Sequence, residues 1–306
     1  MAQAWDTVAD RTAKVQPLRE VAKTRVSLVT GGTDGIGRAV ALELARGGDQ
    51  VIFVGRSQER GAEVLWELRR AAPALEHAFI AADLSLLSET ARVAAEVTRM
   101  TQRLDALVCC AGILSLVPEW TTEGLERNFV LNYLTRYLLA VQMLPLLREA
   151  ASGRLVLVSN AGKYPDTLDF DDLQHQRGKV GLAVSGRTQF ANDLLVAELG
   201  ERLRGSRVEA TCVFPGVTRS SCFKNARGLP WLLRWLSPLA LRLLGQPPAA
   251  AAQTPVFLAR DAAAVGTSGG FFGPKLKPIA VPERALKRER REALWRASEE
   301  LVRAFV

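Results

Sequence analysis

Histidine is nearly missing from this chain. His77 and His175 are the only two in 306 residues, so a histidine-based metal site or a triad with an imidazole base is poorly supplied, and each reads as a surface or loop residue. Cysteine is scarce too. Cys109, Cys110, Cys212 and Cys222 show no metal-type spacing, and the first two are adjacent inside an apolar run, which fits reduced core thiols of a cytoplasmic protein. No metal is expected. The most membrane-like stretch is read as Leu229 to Leu244, which is interrupted by Arg234, Pro238 and Arg242 and is too short to span a bilayer. The first residues, MAQAWDTVADRTAKVQ, carry acids and no apolar core, and are not expected to be a signal peptide. Blocks of one charge are missing as well, apart from Lys287 to Arg291 (KRERR). The net charge of +8 is spread along helices and interleaved with Glu, which reads as solvated helix faces and not as a nucleic-acid footprint. Internal repeats and low-complexity linkers are also absent. With 48% hydrophobic residues the chain can bury one large core, and one domain over 1–306 is expected, with an N-terminal extension over 1–22 and an apolar lid over 226–247.

What is present is concentrated in Arg25 to Gly37, RVSLVTGGTDGIG. Val26, Leu28 and Val29 read as a buried parallel strand, and Arg38 to Arg46 as a helix opening directly after the last glycine. Between them, glycines at 31, 32, 35 and 37 form a loop suited to a dinucleotide. Glycine permits positive φ and lets a pyrophosphate approach without a Cβ in the way, while the N–H groups of the helix N-terminus point at the anion.

Alternation continues down the chain. Strands are expected at Gln50 to Val54, His77 to Ala82, Ala106 to Cys110, Arg154 to Ser159 and Val208 to Phe214, with helices between them, including one from Thr122 to Arg148 and one over roughly Gly181 to Arg204. This order implies an α/β fold, a Rossmann-type doubly wound parallel sheet with binding residues just past the C-terminal strand ends. Arg56, directly after the second strand, can pair a ribose 2′-phosphate where an acid would pair a free hydroxyl, so NADP(H) is favoured over NAD(H). Asp83 has two open readings, an acceptor for the adenine amino group and an ordinary helix cap.

Together, TGGTDGIG, Asp83-Leu84, Cys110-Ala111-Gly112 and Pro215-Gly216 resemble the short-chain dehydrogenase/reductase superfamily. LNYLTRYLL, LDFDDLQ, FANDLL and LWRASEELV bring the chain closest to its retinol-dehydrogenase and protochlorophyllide-reductase-like branch. The resemblance implies that Gly31, Thr33, Asp34, Gly35, Ile36, Gly37, Arg56, Ser57, Asp83, Leu84, Cys110, Ala111, Gly112, Gln189, Pro215, Gly216 and Thr218 line the cofactor. It also implies a homodimer or homotetramer. The family's chemistry uses an Asn, a Ser and a Tyr-Lys pair spaced YxxxK. Tyr donates a proton to the alkoxide that hydride transfer creates, and the Lys ammonium lowers the Tyr pKa and grips the nicotinamide ribose.

Here the pattern departs. Asn132 is kept, but Ser185 falls at the tyrosine position and Gln189 at the lysine position, in SGRTQ. Asn160 falls at the serine position with Ser159 one residue before it, and either remains open for that role. No tyrosine follows Tyr164. Tyr164, beside Lys163 in a loop past the fifth strand, is open as a substitute acid or as a plain loop residue. Two classes of function follow. One is an NADP(H)-binding enzyme with atypical chemistry, either hydride transfer to an activated acceptor or a non-redox cyclisation, isomerisation or dehydration, with Asn132, Ser159, Asn160, Ser185 and Gln189 as neutral hydrogen-bonders. The other is a nucleotide-binding or regulatory protein without turnover. A Leu- and Trp-rich lid, Gly228 to Gly245, favours the enzyme and a bulky apolar substrate such as a polyketide, terpenoid, steroid or lipid-like compound. As an amphipathic contact with a partner copy or a membrane surface, the same segment has a simpler explanation.

Overall fold

Buried β-branched and leucine-rich runs set the frame. The computed structural model describes residues 24–178, 180–219, 226–229, 245–281 and 283–306, so the proposed N-terminal extension and most of the proposed lid lie outside the described residues. Strand β1 (Val26–Thr30) is buried at every position, as are β2 (Gln50–Gly55), β4 (Ala106–Cys109) and β5 (Gly153–Val158). Burial on both faces is what a parallel sheet sandwiched between helices requires. With β3 (Ala78–Ala81), β6 (Val208–Val213), β7 (Phe271–Phe272) and β8 (Pro278–Ile279), these form one sheet in the order β3-β2-β1-β4-β5-β6-β7-β8. Pairing is parallel except between β7 and β8, a two-residue antiparallel edge that the sequence reading did not include.

Helices α1 (Gly35–Arg46) and α2 (Gln58–Ala71) join α7 (Pro248–Arg260) on one face; α3 (Leu87–Met100), α5 (Thr135–Arg148), α6 (Ala183–Arg202), the short α8 (Glu283–Leu286) and α9 (Arg288–Val302) cover the other. Helix α1 begins three residues earlier than expected. Asp34 caps it by accepting from the Gly35 N–H at 2.7 Å, so two of the loop glycines belong to its first turn.

The long helix expected from Thr122 starts later. Residues 121–126 turn instead, with Gly124 at φ +73° and the Thr121 N–H donating to the Leu125 carbonyl. Glu126 then caps α4 (Arg127–Phe129) through the N–H groups of Asn128 and Phe129, each at 2.9 Å. A π-helical turn, Val130–Leu134, links α4 to α5. This run, Arg127–Arg148, is long and apolar enough to cross a bilayer, but 78% of its most apolar window is buried inside the protein, which makes it a core helix.

Two expectations about charged residues are corrected. Part of the basic run at Lys287 to Arg291 is not a solvated face: Arg290 pairs with Asp166 at 2.7 Å and Arg291 lies 3.5 Å from Glu198, fastening α9 to the rest of the protein. His77 is not a surface residue. It is buried, its Nδ1 accepts from the Val51 N–H at 3.1 Å, and desolvation lowers its pKa. His175 does sit in a loop, at φ +55°.

Candidate active site

The C-terminal strand ends open onto a cavity of about 800 Å³, within the range of ligand-binding pockets. Its lining brings together Gly31, Thr33, Asp34, Gly35, Ile36 and Gly37 from the glycine loop, and Arg56 and Ser57 after β2. Asp83 and Leu84 come from the end of β3, Cys110, Ala111 and Gly112 from the end of β4, and Pro215, Gly216 and Thr218 from the end of β6. Residues spread over more than 180 positions in the chain thus share one wall. Asn132, Ser159, Asn160, Tyr164, Ser185 and Gln189 line it too.

The glycine loop has the shape its residues imply. Gly31 sits at φ +69°, and a Cβ there would lie 2.8 Å from the Ala111 nitrogen; a Cβ on Gly37 would lie 2.3 Å from the Gly31 carbonyl oxygen. Only glycine keeps this loop flat against the strand ends and leaves the α1 N-terminus open to an anion. Thr33 packs where Gly55 has no side chain. Arg56 is exposed on the cavity rim, while Ser57 caps α2 by accepting from the Arg60 N–H at 3.2 Å. One oxygen of Asp83 accepts from the N–H and hydroxyl of Ser85 at 3.0 and 2.8 Å, so Asp83 holds a turn and does not cap α3. Past β6, the Gln246 amide donates to the Pro215 carbonyl and the Thr218 hydroxyl to that of Gly216 at 3.1 Å, fixing the loop with Gly216 at φ +81°.

The polar groups that stand where reaction chemistry is expected are engaged with the protein. Asn132, on the π-helical turn, accepts from the Ile113 N–H at 2.8 Å and donates to the Ile113 carbonyl at 3.0 Å, bracing the segment after β4. Ser185 is buried; its hydroxyl donates to the Ser115 carbonyl at 2.9 Å or to Asn128 Oδ1 at 3.2 Å, and accepts from the Ser115 N–H at 3.0 Å. Gln189 Oε1 accepts from the Ser159 hydroxyl at 2.7 Å and the Asn160 N–H at 3.1 Å. Ser159 therefore spends its single proton on Gln189.

Of the three tyrosines in the chain, Tyr164 is the one on the cavity. Its ring lies over Gly186, where a Cβ would be 2.9 Å from Tyr164 Cδ1, next to Ser185 on α6. Tyr133 is buried against Ser298 at 2.7 Å and Tyr137 against Trp295, and burial raises the pKa of both phenols. Burial likewise pushes the Cys109 thiol up to about 11 and the Cys110 thiol up to about 12, so neither is a thiolate at neutral pH. Among the described residues no cluster of His, Cys, Asp or Glu can hold a metal ion.

Two charged residues escaped the sequence reading. Arg136 lines the cavity from α5, and Asp193 is buried on α6 one turn beyond Gln189. Each is a charge inside an otherwise apolar helical run, LNYLTRYLL and FANDLL, and that mismatch was the available signal.

With fold and cavity in place, the relatives are informative. The profile of the short chain dehydrogenase family matches residues 25–168. The chain belongs to the short-chain dehydrogenase/reductase family, in its retinol-dehydrogenase-like branch. It is 34% identical over 310 aligned residues to dehydrogenase/reductase SDR family member 13 of Bos taurus, covering 98% of this chain and 79% of that one. To retinol dehydrogenase 14 of Homo sapiens it is 31% identical, covering 90% and 85%. Among solved structures, a short chain dehydrogenase of Shigella flexneri complexed with NADP matches with a TM-score of 0.62 at 22% identity, over 81% of this chain and 96% of that one. That likeness supports the fold.

Proposed function

We propose that this protein binds NADP(H) and acts on a bulky apolar small molecule by chemistry that needs no proton from a tyrosine on α6. The residues present fit the cofactor: the glycine cradle and α1 N-terminus suit its pyrophosphate, and Arg56 suits a 2′-phosphate. When bound, NADP(H) would supply or accept hydride. Support for the substrate class comes from the apolar part of the lining, Ile113, Leu114, Leu131, Val158, Phe214 and Val217, and from relatives named as retinol and polyprenol dehydrogenases.

The observation that carries the chemical reading is the Ser159–Gln189 bond. In the family an ammonium would stand at position 189; here a neutral amide takes its place and accepts the serine proton. Ser159 can then accept a hydrogen bond from a ligand but has no donor left to polarise a carbonyl. Ser185 is a far weaker acid than a phenol, and its hydroxyl already holds Ser115. A positioned general acid contributes about 10²- to 10⁴-fold, so ordinary ketones are poor substrates. An activated acceptor, such as an iminium, or a step driven by orientation alone, is the reaction type left.

Two readings compete with this one and rest on particular observations. Tyr164 on the cavity wall can act as a relocated acid. The engagement of Asn132, Ser159 and Ser185 with the protein equally suits a nucleotide-binding protein without turnover. One assay separates all three: NADPH oxidation with apolar ketones and with a preformed cyclic iminium, for wild type and Tyr164→Phe. Slow ketone reduction and measurable iminium reduction, both unaffected by Tyr164→Phe, are expected. Ketone turnover on the order of 1 to 10³ s⁻¹ that falls at least tenfold in Tyr164→Phe assigns the acid to Tyr164. Binding of NADPH with no turnover of either class leaves the non-catalytic reading.

A further inference from the structure

Arg136 differs from every other polar group on the cavity wall described above. Its side chain is 4% exposed, and Nη2 donates to the Ala111 carbonyl at 2.9 Å, yet Nε and Nη1 are buried and have no partner. No carboxylate pairs with it among the described residues. The ionisable groups that bear on it are the thiols of Cys109, Cys110 and Cys212, all of which burial keeps protonated. A guanidinium does not shed its charge in a protein, and a buried, uncompensated cation opposes folding. Among the described residues the Ala111 carbonyl is the one hydrogen-bond partner that offsets that cost, and it serves one of the three nitrogens.

The surroundings leave a place for a partner. Gly112, Asn132 and Arg136 all line the cavity, and a Cβ on Gly112 would lie 3.1 Å from Asn132 Oδ1 and 3.5 Å from Arg136 Nη2, so the bare glycine keeps the space next to them open. The nearby lining, Ile113, Leu114 and Leu131, is apolar. In such low-dielectric surroundings an anionic oxygen pairs strongly with a guanidinium, because neither group is shared with water. The glycine loop, where the cofactor's phosphates fit, packs against the Ala111 nitrogen and Cα, whereas Arg136 holds the Ala111 carbonyl.

We infer that Arg136 is a specificity-determining residue that binds a carboxylate on an otherwise apolar ligand, beside Gly112 and Asn132. This deepens the reading of the cavity as an apolar-substrate site and rests on it. The substrate is then an amphipathic acid, with its carboxylate held inside the cavity and its tail along the apolar wall.

The test uses the full chain saturated with NADP⁺ and two probes with the same tail, decanoate and decan-1-ol, titrated by calorimetry. Wild type is expected to bind decanoate at least tenfold more tightly than the alcohol, since a charge-assisted bond at a buried site is worth about that factor or more. Arg136→Met should abolish the preference without weakening NADP⁺, Arg136→Lys should keep part of it, and the melting temperature of Arg136→Met should hold or rise because an uncompensated charge has been removed. Equal binding of the two probes by wild type overturns the anion site while leaving the apolar cavity standing. If neither probe binds although NADP⁺ does, the apolar-substrate reading fails and the carboxylate site fails with it. A preference that survives in Arg136→Met, or a tenfold loss of NADP⁺ affinity in that variant, also overturns the assignment, the latter by giving the guanidinium to a cofactor phosphate.

Discussion

Asp193 shows how much one buried side chain can govern. It is 1% exposed, accepts from the Gly162 N–H at 3.1 Å, and has Cys212 Sγ at 4.0 Å. Desolvation pushes its carboxyl up to about 7, against which the Gly162 bond pulls only partly. A carboxyl with a raised folded-state pKa binds its proton more tightly in the folded protein than in the unfolded chain. Its stabilising contribution is therefore complete below about pH 4, the unfolded value, and is lost as pH rises through about 7. Asp193→Asn keeps the acceptor for Gly162 and removes the titration. Its melting temperature should match wild type near pH 4 and exceed it at pH 8, by about 1.5 °C for each kcal/mol recovered in a chain of 306 residues. Scanning calorimetry at the two pH values checks this, and a gap that is constant across pH would mean that the carboxylate finds compensation absent from the static structure. The Gly162 bond also ties α6 to the loop carrying Asn160 and Tyr164, so the same titration bears on the cavity wall.

At the scale of elements, α6 is held from both ends by charge in unusual places. Arg187, 2% exposed, pairs with the fully buried Glu126, donates to the Leu173 carbonyl and lies 5.2 Å from the Phe129 ring centre. Glu126 in turn caps α4, so one carboxylate fixes where the α4–π–α5 run begins and how α6 docks on it. Further along, α9 packs over α6 and α5: the Trp295 ring meets Tyr137 edge-on at 4.9 Å between centroids and takes Arg202 over its face at 3.9 Å. Trp295→Ala should destabilise by about 3 kcal/mol, from lost apolar area, the aromatic pair and the cation–π contact together. Arg187→Met should cost about as much by a different route, since it strands Glu126 inside the protein. Urea titration distinguishes a real effect from none. A change below about 1 kcal/mol in Trp295→Ala would show that α9 contributes little to the fold.

For the molecule as a whole, cofactor choice should be readable in stability. A ligand at 100 times its dissociation constant stabilises the folded state by about 2.7 kcal/mol, so NADPH should raise the melting temperature well above the shift from NADH at the same concentration. Arg56→Ala should bring the two shifts together by cutting the NADPH effect alone, because it removes the partner of the 2′-phosphate; equal shifts in wild type would remove the NADP(H) assignment. Much of this fold is legible in the residues. Parallel strands buried on both faces need continuous apolar runs, and a loop that passes close to Ala111 with φ at +69° needs glycine, so the alternation, the strand ends and the cradle follow from local composition. Family membership follows from the same motifs. The late start of the long helix was not legible, because Glu126 caps α4 only in the company of Arg187, 61 positions away. Nor was the burial of His77, whose partner lies on a neighbouring strand. Which polar groups remain available in the cavity was decided by tertiary structure alone. The family resemblance put Ser159 or Asn160, and Gln189, at positions of related function, but only the packing of α6 against the end of β5 joins Ser159 and Gln189 in one bond. The packing of α5 against the end of β4 likewise left Arg136 buried and, among the described residues, without a carboxylate, since a side chain's partners depend on which helices and strands the fold brings within 3 to 4 Å of it and not on its neighbours in sequence.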